Sequence, residues 1–262
     1  MSTRHFMVKA IFFDVDGTLL SHESKDVPAS ARKALEELKQ KGIHVVAATG
    51  RHILEMAELP VNDISFDSYI TLNGQLCLDS NKDLVFGNPL ENEEKEAIIQ
   101  LFNEKEIPVM MIEKDRIYMN FVNDYVRKAQ ADVSTCVFDC DEYTGNDIYM
   151  VSVYIDSSRE DEFRKKFSNC LVTRWHDLGI DIVSKTGGKV AGIKRYLEMY
   201  NIDLKDTMAF GDGENDMEML KFVNLGVAMG NGKDIVKQEA DYVTSHIDDD
   251  GVYNALKALK VL

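Results

Sequence analysis

The chain has 262 residues, 45% of them hydrophobic, enough for one large domain or two modest ones whose cores need no disulfide staples. Asp and Glu number 45 against 30 Lys and Arg, a formal charge of −15, which argues against nucleic-acid or anionic-membrane partners because both need a positive face. No apolar run approaches the roughly 20 residues of a membrane span, and the N-terminal "MVKAIFF" is cut by Asp14 before it could serve as a signal-peptide core, so the chain reads as soluble and cytoplasmic.

In chain order, "KAIFFDV" is a continuous apolar run of buried-strand type. "PASARKALEELKQKG" follows with Ala31, Ala34, Leu35 and Leu38 at helical spacing, opened by Pro28 and closed by Gly42. "IHVVAATG" reads as a second strand, "RHILEMAEL" as a helix and "YITLNG" as a third strand. Such alternation predicts an α/β fold, a Rossmann-like, doubly wound parallel sheet with helices on both faces. The middle third differs. From about "LCLDSNKDLVFGN" to "GIDIVS" it offers hairpin-like pairs ("PVMMIEKDRIYMNF", "CLVTRWHDLGIDIVS") and two amphipathic helices ("EKEAIIQLFNEK", "REDEFRKKF"), as a separate α+β unit would. The last third returns to alternation: helix "KVAGIKRYLEMY", strand "TMAFGDG", helix "NDMEMLKFV", strand "GVAMG", helix "KDIVKQEA", short strand "YVT" and closing helix "VYNALKALK". The expected division is a core of residues 1–82 and 186–262 with an inserted α+β unit of residues 83–185. Cys136 and Cys140 have three residues between them rather than the two usual in zinc knuckles, so buried free thiols are expected.

Ligands of open α/β sheets bind beyond the carboxyl ends of the strands. Four polar clusters fall at such ends: Asp14 and Asp16; Thr49, Gly50 and Arg51; Asn73 and Gly74; and "GDGEND" with Asp212, Asn215 and Asp216. Lys189 opens a helix shortly before the last of them. Asp14 and Asp16, two residues apart on one strand face, repel unless a cation, a shared proton or water intervenes. Several carboxylates with small donors describe a hard-cation site, and Mg²⁺, which prefers oxygen ligands and keeps waters for an anion to displace, fits it. Each cluster also has a plainer reading, since an Asp at a strand end can cap a helix or sit in a solvated turn, and a lone lysine is ordinarily a surface residue. Their coincidence in this order is what the plainer readings explain badly.

"DVDGT", then "ATGR", a lysine opening a helix, and "GDGENDMEML" resemble the four motifs of the haloacid-dehalogenase (HAD) superfamily. "TLNG", "GVAMGN" and "IDDDGV" are similar to its Cof-type, capped branch, whose members are mostly phosphatases of sugar phosphates and other small metabolites. The resemblance covers about the first 80 and last 75 residues, and the middle third matches only as a cap inserted between the second and third motifs. It implies an aspartyl-phosphate mechanism. Asp14 would be the nucleophile and Asp16 the acid/base. The Asp14 carboxylate, the Asp16 backbone carbonyl and Asp212 would hold Mg²⁺, with Asp216 and Asn215 behind them. Thr49 and the Gly50 amide would take the phosphate oxygens, Asn73, Gly74 and Asn215 are expected beside them, and Lys189 would neutralise Asp14 and the phosphoryl group. The branch usually carries glycine after the motif lysine, whereas Val190 follows Lys189 and Lys185 lies one turn upstream; Lys189 keeps the spacing from "GIDIVS" and is preferred.

The expected activity is a Mg²⁺-dependent phosphatase of a small phosphorylated metabolite, the cap choosing the substrate, with Trp175 and His176 as candidate pocket residues. A phosphomutase on the same scaffold is the first alternative. A non-enzymatic phosphoacceptor switch is the second, but receivers need only about half this length and lack an acid/base Asp two residues after the acceptor.

Overall fold

The apolar run after the N-terminus forms β1 (Ala10–Phe13), every residue of it buried. The computed structural model in which it lies describes residues 7–133 and 135–262, so residues 1–6 of the expected core lie outside the described residues. Helix α1 (Ala29–Gln40) starts after Pro28, buries Ala31, Ala34, Leu35 and Leu38, and is closed by Gly42 at a φ of 73°. That left-handed conformation is one that glycine adopts without steric penalty. Strand β2 (His44–Ala48) follows, then α2, which spans only Ile53–Ala57. It stops early because Leu59, preceding Pro60, is held extended. After β3 (Ser68–Thr71) come β4 (Leu76–Asp79) and β5 (Leu84–Gly87).

The expected boundary at residue 83 leaves β4 in the core and puts β5 in the inserted unit, and here the structure moves β5 into the first sheet. β4 pairs antiparallel with β3 and β5 lies beside β4, so the hairpin extends the first sheet. A tight connection can only return a strand antiparallel, whereas parallel pairing needs a crossover of a dozen residues or more. The sheet is therefore mixed, with a parallel body and an antiparallel edge.

The chain divides into two units, one made of the chain up to Phe86 with Gly188–Leu262, the other of Gly87–Gly187. The second contains α3 (Asn92–Glu104), β6 (Val109–Ile112), β7 (Ile117–Met119), α4 (Asp124–Asp132), β8 (Met150–Val153), α5 (Glu160–Lys166), β9 (Cys170–His176) and β10 (Gly179–Ser184). Its antiparallel sheet runs β7-β6-β8-β10-β9. Ile98, Leu101 and Phe102 of α3 and Phe163 of α5 pack on Val109, Met111, Val151, Val153, Ile180 and Ile182. Two elements, α4 and β8, have no clear pattern in the sequence: α4 buries only Val126, Ala129 and Gln130, and β8 is covered on both faces and shows no alternation in burial. Cys77 and Cys170 are buried, but Cys136 and Cys140 are exposed free thiols, contrary to the expectation that they lie inside.

The first unit resumes with α6 (Lys189–Tyr200), β11 (Thr207–Gly211), α7 (Met217–Phe222), β12 (Leu225–Ala228), α8 (Asp234–Glu239), β13 (Tyr242–Val243) and α9 (Gly251–Ala258). Its eight strands are ordered β13-β12-β11-β1-β2-β3-β4-β5. Ala10, Phe12, Val46, Ala209 and Ala228 face Ile193, Tyr196, Met219, Leu220 and Val236 of α6, α7 and α8. The alternate residues Ile11, Phe13, Val45 and Phe210 are equally buried and point to the side where α1 packs on β2 and α9. This ordering makes β11, β1, β2 and β3 successive neighbours, so four loops that are far apart in sequence leave the sheet side by side. No helix among the described residues is long and apolar enough to cross a membrane.

Candidate active site

Asp14 follows the last residue of β1, and its amide donates to the Phe210 carbonyl of β11 at 3.0 Å. Asp212 comes directly after β11, one strand over. Gly17, at a φ of 81°, lets the Asp212 carboxylate approach so closely that a Cβ there would lie 2.3 Å from an oxygen. Thr18 Oγ1 donates to Asp212 Oδ1 at 2.9 Å and fixes its rotamer. Lys189, the first residue of α6, is buried and donates to Asp14 Oδ1 at 2.7 Å and Asp216 Oδ1 at 2.6 Å. Asp216 is wholly buried, and its other oxygen accepts from the amides of Asp212 and Gly213 at 3.0 and 2.9 Å. Lys185 instead donates to the Ser168 carbonyl within the second unit.

Oxygens of Asp14, Asp212 and Asp216 all lie within 4.8 Å of one another. Burial pushes the Asp14 carboxyl well above the carboxylate range and Asp216 adds to this, with Lys189 opposing. Burial also lifts Asp212 to about 6, against the Thr18 hydrogen bond and with the help of Asp216. Burial works against the Lys189 ammonium, but Asp14 and Asp216 outweigh it and hold the lysine charged. Three carboxylates on one ammonium leave negative charge in excess, in a site that offers oxygen ligands only. A hard divalent cation fits that donor set and would relieve the excess.

The other expected residues gather at the same carboxyl ends of the strands, in altered relations. Thr49 is buried; its amide donates to Ile70, its carbonyl accepts from Asn73, and its Oγ1 accepts from the Arg51 amide at 3.1 Å. Asn73, at a φ of 52°, packs against Gly50, and its Oδ1 accepts from Asn215 Nδ2 at 3.2 Å, tying the loop after β3 to the loop after β11. Gly74 abuts the Gly188 carbonyl, where a Cβ would come within 2.1 Å, so its part is to admit the start of α6. The Asp16 side chain stands apart from the carboxylate group: Arg51 Nε and Nη2 grip its two oxygens at 2.7 and 2.8 Å. Only its backbone carbonyl is left for the ligand role the resemblance assigned.

Three further residues contribute to the site, Thr18, Arg51 and Asn231. Thr18 and Arg51 stood within the quoted motifs without a role. Asn231, which ends "GVAMGN", donates to the Gly17 carbonyl at 2.7 Å and accepts from the Ile247 amide at 3.0 Å, bracing the turn that follows Asp16. A polar residue closing a strand-end motif was the available signal.

A family model for haloacid dehalogenase-like hydrolases matches residues 11–256. YkrA of Bacillus subtilis (strain 168) is 33% identical over 257 residues, covering 97% of this chain and 98% of YkrA. Among solved structures, a HAD-superfamily phosphatase from Bacteroides thetaiotaomicron superposes with a TM-score of 0.88 at 29% identity, over 100% of this chain and 98% of that one. A HAD subclass IIB sugar phosphatase superposes with a TM-score of 0.81 at 32% identity, over 97% of this chain and 100% of the other. Strand order, carboxylate cluster and these likenesses agree, and the chain belongs to the haloacid dehalogenase-like hydrolases, within their phosphatase branch.

Proposed function

We propose that the chain is a Mg²⁺-dependent phosphatase that hydrolyses a small phosphorylated metabolite, a sugar phosphate by chemical class, through an aspartyl phosphate on Asp14. The observation that carries this reading is the buried Lys189 shared between Asp14 and Asp216, with Asp212 alongside. That arrangement holds one carboxylate oxygen in place at a strand end and leaves an excess of negative charge for a cation to offset before an anionic phosphoryl group can enter. The likeness to a sugar phosphatase supports the substrate class.

In the first half-reaction an Asp14 oxygen attacks phosphorus, the ester P–O bond breaks, and Asp16 gives a proton to the leaving alkoxide. In the second, water attacks the same phosphorus, passes its proton to Asp16, and frees inorganic phosphate and the Asp14 carboxylate. Splitting the displacement this way replaces one hard step with two easier ones. Lys189 and the donors of Thr49 and Gly50 stabilise the phosphoryl charge, which is where phosphoryl-transfer catalysis chiefly lies. Mg²⁺ held by Asp14 and Asp212, with Asp216 behind them, would supply further charge neutralisation. Phosphate release from a panel of phosphorylated metabolites, with and without Mg²⁺, tests the reading; full turnover in EDTA would remove the metal from it.

Metal affinity is expected to depend on pH in a defined direction. A proton on Asp212, whose carboxyl is pushed up to about 6, must leave before the cation binds. Apparent Mg²⁺ affinity therefore rises with pH, by about tenfold per unit below that value through Asp212 alone, and the raised Asp14 carboxyl acts in the same direction. Calorimetric titration at pH 5 and 7.5 checks this, and equal affinities would contradict it.

The second unit, by this reading, governs which metabolite is accepted and leaves the chemistry to the first. Trp175 stacks edge-on against Tyr154, and its indole Nε1 has no hydrogen-bond partner among the described residues. Trp175→Phe is expected to reorder preferences among metabolites by about an order of magnitude while changing hydrolysis of a small aryl phosphate little. Equal losses on both substrate types would show that this unit carries part of the chemistry.

A further inference from the structure

We infer that Arg51 is the positioning residue that holds Asp16 oriented to take a proton from water in the second half-reaction, an inference that rests on the phosphatase reading above. The two-point grip, Nε to Oδ2 and Nη2 to Oδ1, is the parallel fork in which a guanidinium fixes the plane of a carboxylate as well as its position. Both Asp16 oxygens act as acceptors in it.

Arg51 is itself held. Its amide donates to Thr49 Oγ1 at 3.1 Å, and its carbonyl accepts from Leu72 at 3.1 Å. Each side chain of the pair is only about a quarter exposed, at 27% for Arg51 and 28% for Asp16. An exposed ion pair would gain little and orient nothing. This one joins the loop after β1 to the loop after β2 beside the carboxylate cluster, and it accounts for the absence of the Asp16 side chain from that cluster.

The two half-reactions can be separated by the leaving group. p-Nitrophenolate departs without a proton, so attack by Asp14 on its ester needs nothing from Asp16, whereas hydrolysis of the aspartyl phosphate still does. For Arg51→Ala with p-nitrophenyl phosphate, kcat/KM is expected to stay within about threefold of the unsubstituted enzyme while kcat falls roughly 10- to 100-fold. Nitrophenolate then appears as a burst, and acid quenching traps phosphorylated Asp14. Added guanidinium should restore kcat to Arg51→Ala and leave the unsubstituted enzyme unchanged. Arg51→Lys, which keeps the charge and loses the fork, should recover only part of it. If kcat and kcat/KM fall together with no trapped phosphoenzyme, Arg51 binds phosphate or serves the fold, and the inference is overturned while the phosphatase reading stands. If the unsubstituted enzyme releases no phosphate at all, both are overturned.

Discussion

Asp14→Asn is expected to lower phosphate release by about four orders of magnitude or more, the scale on which removal of a covalent nucleophile is felt. The substitution keeps the shape of the side chain and removes the attacking charge. It should leave the fold intact, because Lys189 retains its 2.6 Å contact with Asp216 and a carboxyl whose ionisation burial disfavours becomes neutral. Phosphate assays and thermal melting, run together, separate lost chemistry from lost structure. Turnover within tenfold of the unsubstituted enzyme would show that another group is the nucleophile.

Lys189→Ala should damage both activity and stability. It strands Asp14 and Asp216, two buried carboxylates, without their shared counter-charge, and breaking a buried ion pair from one side costs about 3–5 kcal/mol. Turnover should fall at least about tenfold through loss of the charge facing the phosphoryl group. The stability loss has a pH signature. With Asp14 raised in the folded state, the native form binds protons more readily than the unfolded chain, so the variant recovers stability as pH falls. Melting at pH 5 and pH 8 reads this, and Lys189→Met, which keeps the aliphatic stem, serves if the alanine variant does not fold. Lys185→Ala should change turnover by less than about twofold, since that ammonium is exposed and caps the Ser168 carbonyl of the second unit. The reverse ranking of the two lysines would displace Lys189 from the site.

Much of this architecture is legible along the chain. Apolar runs ending in Asp14, Thr49, Asn73 and Asp212 announce strands that stop at polar loops, because burial and charge alternate on a scale of a few residues. The spacing of Ala31, Ala34, Leu35 and Leu38 places α1 for the same reason. Local pattern was weakest where an element's surroundings supply what its own residues lack. β8 is buried on both faces and so carries no alternation, α4 shows only a narrow stripe, and β4 and β5 lie in a stretch whose sheet membership depends on which edge is free to receive them.

At the site the division is similar. The sequence by itself determined which residue types stand at the strand ends, and hence that carboxylates, a threonine and a lysine were available for chemistry on an anion. Their pairing was decided by tertiary structure alone: Lys189 lies 175 residues from Asp14, and only the strand order β11-β1-β2-β3 brings the two within 2.7 Å. The same ordering turns Asp16 toward Arg51, spends both oxygens of Asp216 on holding its neighbours, and lets Gly17 and Gly74 admit groups that a side chain would exclude. Hydrogen bonds and ion pairs depend on distances of a few tenths of an ångström between residues far apart in sequence, and those distances are set by how the sheet and its helices pack.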